Sequence, residues 1–258
     1  MTEHSIGRMA DLPCTHLLAP GASTCAGCGG LAAFHQVYDV LGSKSVVVNA
    51  AGCLTLLAVY PYTPLRGSWL YTSMASAPAG AQGVRDALEV LRAKRALPAE
   101  EDLSVVVLTG DGAAYGMGLS ATSSAIERRL DFLYLCYDNE GYGNTGQQTS
   151  DATPHGARTA THTGRRGYPG QKKDLFAIWA AHRPAYAATV IGSEPLDLAR
   201  KIATAAGLEG PRLILALAPC PTGWGFAPAK LVDIGHLAVR TGIWPLKEYR
   251  DGRITPTR

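Results

Sequence analysis

Apolar residues in this chain gather in short β-branched runs separated by stretches of helical spacing. The clearest run is Ser104–Thr109, which reads Val105, Val106, Val107, Leu108 and is followed by Gly110-Asp111-Gly112. A second run, Phe132–Tyr137, leads into Asp138-Asn139-Glu140-Gly141-Tyr142-Gly143-Asn144. The small residues between them, through Ala125, predict a helix. A parallel strand–helix–strand unit needs about 30 residues, close to the spacing of Asp111 and Asn139.

The same reading predicts elements along the whole chain. Leu31, Phe34, Val37, Tyr38 and Leu41 share a helical face that stops at Gly42. Ser45–Asn49 is a short strand, and Gln82–Arg95 an amphipathic helix. Asp174 is placed to cap a helix with Leu175, Ile178 and Ala181 inward. Then follow a strand at Tyr186–Ile191, a helix at Glu194–Ala206, a strand at Pro211–Ala218 and a helix at Pro228–Arg240. Residues 1–24 predict an irregular arm, and Tyr60-Pro61-Tyr62-Thr63-Pro64 a turn-rich loop. The polar stretch 147–173 is long enough to expect a functional loop or disorder. The tail from Trp244 reads as polar and able to reach a neighbouring chain. Strands alternating with helices predict an α/β fold, a mostly parallel sheet with helices on both faces. We expect one domain over residues 1–258, with an arm at about 1–24 and a tail at about 242–258.

Composition narrows the function classes. Of 258 residues 47% are apolar and only 17% charged, which fits a surface covered by partners or a core rich in Ala and Gly. A formal charge of +3, with Lys and Arg dispersed, gives no nucleic-acid footprint. The longest apolar runs, such as Leu213–Pro219, are of strand length, so no membrane span is expected. Met1–Pro13 lacks the apolar stretch of a signal peptide, which makes the cytoplasm the default location. Six cysteines there point to metal or chemistry before disulfides.

Asp111 and Asn139 each leave the carboxyl end of an apolar strand, where open α/β sheets bind ligands. Gly110-Asp111-Gly112 alone reads equally well as a plain turn. With Asn139 on the next strand, a carboxylate and an amide oxygen become hard ligands for Mg²⁺ shared with a diphosphate. Cys25-Ala26-Gly27-Cys28 is a CxxC, open to thiol redox chemistry or to zinc. Cys53 and Cys220 follow expected strand ends on the same rim, so four thiolates there could hold a [4Fe–4S] cluster. Zinc and unrelated buried thiols remain alternatives at this point. Cys136 lies inside an apolar strand, as core; Cys14 has no assigned role.

The words Gly110-Asp111-Gly112, Tyr137–Thr145 (YDNEGYGNT), Ala152–Gly156 (ATPHG), Cys25–Gly29 (CAGCG), Asn49–Cys53 (NAAGC) and Ala218–Trp224 (APCPTGW) resemble one family over nearly the whole chain. They are similar to the β subunits of pyruvate:ferredoxin and related 2-oxoacid:ferredoxin oxidoreductases. The resemblance implies a thiamine diphosphate-binding fold and the oxidative decarboxylation of a 2-oxoacid, pyruvate by default, to acyl-CoA and CO₂. Electrons would leave singly through a [4Fe–4S] cluster to ferredoxin. It further implies Asp111 and Asn139 as Mg²⁺ ligands with the Gly141 carbonyl, Gly110, Gly112 and Ala113 along the diphosphate, and Asn144 at the substrate. Cys25, Cys28, Cys53 and Cys220 would hold the cluster, with Cys53 also beside the cofactor. The implied partners are α, γ and δ-type subunits, the α subunit supplying the Glu for the aminopyrimidine ring, so the chain is expected to be inactive alone.

Two departures from the family pattern stand out. Gly30 replaces a Glu that usually contacts the cofactor, and Gly141-Tyr142-Gly143 lacks the bulkier residues common there. Both predict extra space beside Asn144 and make a branched, aromatic or oxalate-like acid a credible substrate. A cluster-free decarboxylase or synthase is the other alternative. His155 and His162 read as ordinary loop histidines.

Overall fold

A computed structural model describes residues 6–15, 17–59, 61, 63–98 and 103–257. Residues 1–5 and His16 of the expected arm, and Tyr60 and Tyr62 of the turn-rich loop, lie outside the described residues.

Eight strands form one sheet: β1 (Ser45–Ala50), β2 (Ser68–Thr72), β3 (Ser104–Gly110), β4 (Phe132–Asp138), β5 (Tyr186–Ile191), β6 (Pro211–Leu217), β7 (Lys247–Arg250) and β8 (Arg253–Pro256). Their spatial order is β2-β1-β3-β4-β6-β5-β7-β8. The first six run parallel, and β7 and β8 close one edge antiparallel. Side chains alternate along each strand, so successive residues face opposite layers. Val105, Val107, Tyr134 and Cys136 pack under α2 (Ala77–Ala93), α3 (Leu119–Glu127) and α4 (Leu175–Ala181). Val106, Leu108, Leu133 and Leu135 pack under α1 (Gly29–Leu41) and α5 (Pro195–Ala206). Cover on both faces is why these strands read as continuous apolar runs.

The registers set the ends of the strands level. Asn49 pairs with Leu108, Gly110 with Tyr137, and Asp138 with Leu217. The residues just beyond them, at 51–53, 111–113, 139–144 and 218–220, therefore rise from one rim. The chain moves outward from β1 to β2 and returns to β3 beside β1, so the order reverses between β1 and β3, the place where such sheets open a crevice.

Several elements depart from the sequence expectations. β2 was not foreseen: Ser68–Thr72 is an edge strand whose Leu70 and Tyr71 are exposed, so it lacks the signature of a buried run. α2 starts at Ala77, five residues early, because Pro78 sits in its first turn, where Pro is tolerated. After β3 the chain makes a wide π-helical turn, Gly112–Met117, with Gly118 N–H donating to Ala113 O at 2.7 Å, before α3 begins at Leu119. Such turns recur at functional sites. After β6 come α6 (Pro221–Trp224), a single 3₁₀ turn at Pro228–Lys230, and α7 (Leu231–Arg240).

The expectation of a free polar tail is corrected. Trp244, Leu246 and Tyr249 are buried, Trp244 Nε1 donates to Val190 O at 3.0 Å, and the tail supplies β7 and β8. At the other end, Ile6 is buried against Ala199 and Ala203 of α5. Arg200 Nε donates to its carbonyl at 2.7 Å. The stretch 147–173 contains no strand or helix, only single bridges such as Thr159 to His162, yet side-chain hydrogen bonds fix it over the rim. Among the described residues no helix is long and apolar enough to cross a membrane.

Candidate functional site

Asp111 follows the last residue of β3 and is fully buried. Ser150 Oγ donates to its Oδ2, bringing the long loop down onto the rim. Asn139, one residue past β4, turns its side-chain oxygen toward acceptors alone. That position lies 2.6 Å from Asp111 Oδ1 and 2.8 Å from Gly141 O. Either the amide turns over and its nitrogen donates to both, or a cation sits among three oxygens. An octahedral cation with ligands at about 2.0–2.1 Å sets neighbouring oxygens about 2.9 Å apart, close to these separations. Burial first, and then the Asp138 carboxylate, push the Asp111 carboxyl well above the usual carboxylate range, with Ser150 and Lys172 opposing. A divalent cation is the ligand that would relieve this.

Beside this trio opens a cavity of about 250 Å³, lined by Gly52, Cys53, Gly110, Asp111, Gly112 and Asn144 among others. Ala113, Asn139 and Gly141 complete that wall. It lies at the β1/β3 reversal.

A second cavity, of about 260 Å³, is lined by Cys25, Cys28, Cys53 and Cys220 together. Local sequence explains how four distant cysteines meet. Gly27 adopts φ +68°, and a Cβ there would lie 2.7 Å from Pro228 O, so only Gly fits the turn between Cys25 and Cys28. A Cβ on Gly29 would lie 2.7 Å from Pro219 N, so the loop rests directly on the strand end that carries Cys220. Cys28 Sγ accepts from Leu31 N at 3.4 Å and caps α1; Cys220 Sγ accepts from Gly223 N at 3.3 Å and caps α6. All four are free thiols. Burial, reinforced by Cys28 and Cys220, pushes the Cys53 thiol up to about 12, and burial also raises Cys28 and Cys220. Among the described residues, no three His, Cys, Asp or Glu close on a single ion. A zinc ion at about 2.3 Å from each sulfur needs sulfurs about 4 Å apart, whereas an iron–sulfur cluster spreads its thiolates around a larger body.

The two cavities share one wall, made of Cys53, Leu56, Tyr137, Asn139, Gly143 and Asn144. The structure thus brings together every residue singled out in the sequence for cofactor, metal or substrate. Cys14 is exposed in the arm, and Cys136 is buried in β4, away from both cavities. His155 and His162 bind the loop to itself, through Pro169 O at 3.2 Å and Thr149 Oγ1 at 2.8 Å.

Gly30, Gly141 and Gly143 line the same two cavities as Asn144. A Cβ on Gly30 would meet the Tyr137 ring at 3.3 Å, one on Gly141 the Gln147 amide at 2.6 Å, and one on Gly143 the Asn139 amide at 2.7 Å. Tyr137, Gln147 and Asn139 are thus the nearest neighbours of these three glycines.

Sequence reasoning missed a charged group behind the site. Asp138 is completely buried and accepts from Tyr115 Oη at 2.5 Å, while Lys172 Nζ lies 2.7 Å from Asp138 and 2.9 Å from Glu140. Burial works against the Lys172 charge, but the two carboxylates outweigh it and raise its pKa. Lys172 comes from a stretch with no periodicity, so pattern alone offered no signal.

This fold and rim define a thiamine diphosphate enzyme. The sequence model described as thiamine pyrophosphate enzyme, C-terminal TPP binding domain, matches residues 50–216. The chain is 41% identical over 251 residues to the pyruvate synthase subunit PorB of Methanocaldococcus jannaschii, covering 96% of this chain and 84% of that one. It is 38% identical over 252 residues to the ketoisovalerate oxidoreductase subunit VorB of Pyrococcus abyssi, covering 96% and 80%. The fold matches a solved 2-oxoglutarate:ferredoxin oxidoreductase from Magnetococcus marinus, with a TM-score of 0.67 at 22% identity over 88% of this chain and 73% of that one. The chain belongs to the β subunits of the 2-oxoacid:ferredoxin oxidoreductases. It is one subunit of a multi-subunit, thiamine diphosphate-dependent oxidoreductase.

Proposed function

We propose that this chain, with its partner subunits, oxidatively decarboxylates pyruvate to acetyl-CoA and CO₂ and passes two electrons, one at a time, to ferredoxin. The observation that carries this reading is the shared wall: Cys53 and Asn144 border both the cofactor cavity and the four-cysteine cavity. Pyruvate is preferred because relatives 41% and 42% identical to this chain are named pyruvate synthase subunits. A branched acid is the second reading, supported by the ketoisovalerate relative.

Thiamine diphosphate, when bound, supplies a carbon nucleophile and an electron sink for loss of CO₂ from a 2-oxoacid. Asp111, Asn139 and the Gly141 carbonyl would hold Mg²⁺; the converging oxygens fit that ion. Gly110, Gly112 and Ala113 would line the diphosphate, where the absence of large side chains lets backbone N–H groups approach. Asn144 would orient the substrate at the shared wall. Cys25, Cys28, Cys53 and Cys220 fit a [4Fe–4S] cluster in number and in lining one cavity together. Such a cluster would accept single electrons beside the cofactor. The exposed mouth at Leu56 and Tyr71 is where an α subunit would complete the pocket and exclude water, with γ and δ-type subunits continuing the electron path. Coenzyme A would take the acyl group, and the cytoplasm is the proposed location.

Iron, sulfide and thiamine analysis of the complex purified without oxygen tests the reading. About four irons per chain in these four thiolates, and loss of acceptor reduction in Cys220→Ser with thiamine diphosphate still bound, are expected. Full activity in Cys220→Ser would sink it in favour of a cluster-free enzyme.

A further inference from the structure

The geometry points to Lys172 as the positioning residue that builds the cation site, by stapling together the two carboxylates that flank Asn139. This inference rests on the Mg²⁺ reading of Asp111, Asn139 and Gly141.

Its first support is the local backbone. Glu140 sits at φ +64°, a left-handed conformation that a side-chain-bearing residue rarely adopts. In this turn one atom of the Asn139 amide lies within 2.8 Å of both Asp111 Oδ1 and the Gly141 carbonyl. Such a conformation is strained and persists where surrounding contacts over-determine it. Those contacts are visible. Glu140 N donates to Asp138 Oδ1 at 3.1 Å, and Thr153 Oγ1 donates to Glu140 O at 2.7 Å. Lys172 Nζ spans the turn, 2.7 Å from Asp138 Oδ2 and 2.9 Å from Glu140 Oε1. The residues on either side of the metal-facing amide are thus held by one ammonium.

Charge is the second support. Asp111 and Asp138 are both buried, and Glu140 is close by. A buried carboxylate without a compensating charge is strongly destabilising. Asp138 and Glu140 set two carboxylates against the one Lys172 ammonium beside Asp111. Without Lys172, Asp138 would keep only the Tyr115 hydroxyl and the Glu140 amide, and Glu140 would lose its ion pair. The ammonium is itself fixed, 5.3 Å from the Trp244 ring centroid and 5.8 Å from that of Tyr115. The neighbouring lysine does different work: Lys173 Nζ binds Asp151 at 2.8 Å and Tyr115 O at 3.0 Å, and it is half exposed.

Lys172 touches no proposed ligand atom, so its role is to shape and charge-balance the cradle. Removing an outer partner of a metal ligand typically lowers metal affinity about 10–100-fold. The test measures the Mg²⁺ midpoint for thiamine diphosphate binding, by calorimetry on the metal-stripped complex, with thermal melts alongside. Lys172→Met should raise that midpoint at least about tenfold. Lys172→Arg should recover most of the loss, and Lys173→Met should leave the midpoint within about twofold. A Lys172→Met midpoint equal to wild type, or an equal loss in Lys173→Met, overturns the assignment. If Lys172→Met does not assemble, Glu140→Gln decides: it removes one arm of the staple and should raise the midpoint about threefold, and no change overturns the proposal. Asp111→Asn separates the two readings. If it keeps the wild-type midpoint, the cation site itself is wrong; if it loses the midpoint while Lys172→Met keeps it, only the role of Lys172 fails.

Discussion

The Tyr137 hydroxyl accepts a hydrogen bond from Leu54 N at 3.4 Å, and its ring forms part of the wall between the two cavities. The ring is packed against Gly30 and Gly110, and burial raises its phenol well above the ordinary range, so it stays protonated. Tyr137→Phe leaves the Leu54 N–H without a partner and should cost about 1–3 kcal/mol. Tyr137→Ala opens one cavity into the other and should cost about 3–5 kcal/mol, as large-to-small core changes do. Denaturant melts of both variants check the order; equal losses would place the ring outside the packed wall.

Asp111 makes the metal-free chain sensitive to pH. Its ordinary value is 3.8, and burial with the Asp138 carboxylate raises it well above that in the folded state. Between those two values the native state keeps a proton that the unfolded chain has lost. Stability of the metal-free protein therefore falls as pH rises through that window. Asp111→Asn removes the linkage, so the variant should melt higher than wild type at neutral pH without metal. With Mg²⁺ and thiamine diphosphate present the order should reverse, because only the wild type gains their binding energy. Melting curves across the window, with and without both ligands, check the sign in each case.

Cys53, pushed up to about 12 by burial and its thiol neighbours, should resist alkylation when iron is absent. The thiolate is the reactive form, so labelling near pH 8 should be at least about a hundredfold slower than for an unperturbed thiol. Cys14 is exposed and serves as the internal reference. Mass spectrometry of timed iodoacetamide reactions on cluster-free protein measures both; comparable rates would contradict the burial of Cys53.

Deleting the chain after Gly242 removes β7, β8 and three buried side chains, Trp244, Leu246 and Tyr249. Each large apolar side chain contributes about 1.5–3 kcal/mol by burial, and the freed β5 edge becomes a template for pairing. The truncated chain should be recovered mainly as aggregate, measurable by size-exclusion chromatography. A monodisperse product with wild-type melting would show the hairpin to be dispensable.

Much of the rim was legible because its strands are apolar on both faces and end in Gly, Asp and Asn. Ser104–Gly110 and Phe132–Asp138 announce themselves, and with them Asp111 and Asn139. β2 escaped because an edge strand needs only partial cover, and Ser68–Thr72 has no bounded buried run. The tail escaped for a related reason: Lys247, Glu248 and Arg250 mask the alternation that buries Leu246 and Tyr249. Lys172 was invisible to pattern, since its importance comes from two carboxylates over thirty residues away that only the fold brings near. The contact of Gln147 with Gly141 had no signal in the sequence, because it depends on the left-handed backbone of Gln147 at φ +63°.

Cys53 belongs to both cavities, so a substitution there reshapes two compartments at once. Whatever fills one of them presses on a boundary of the other, and neither can be redesigned in isolation.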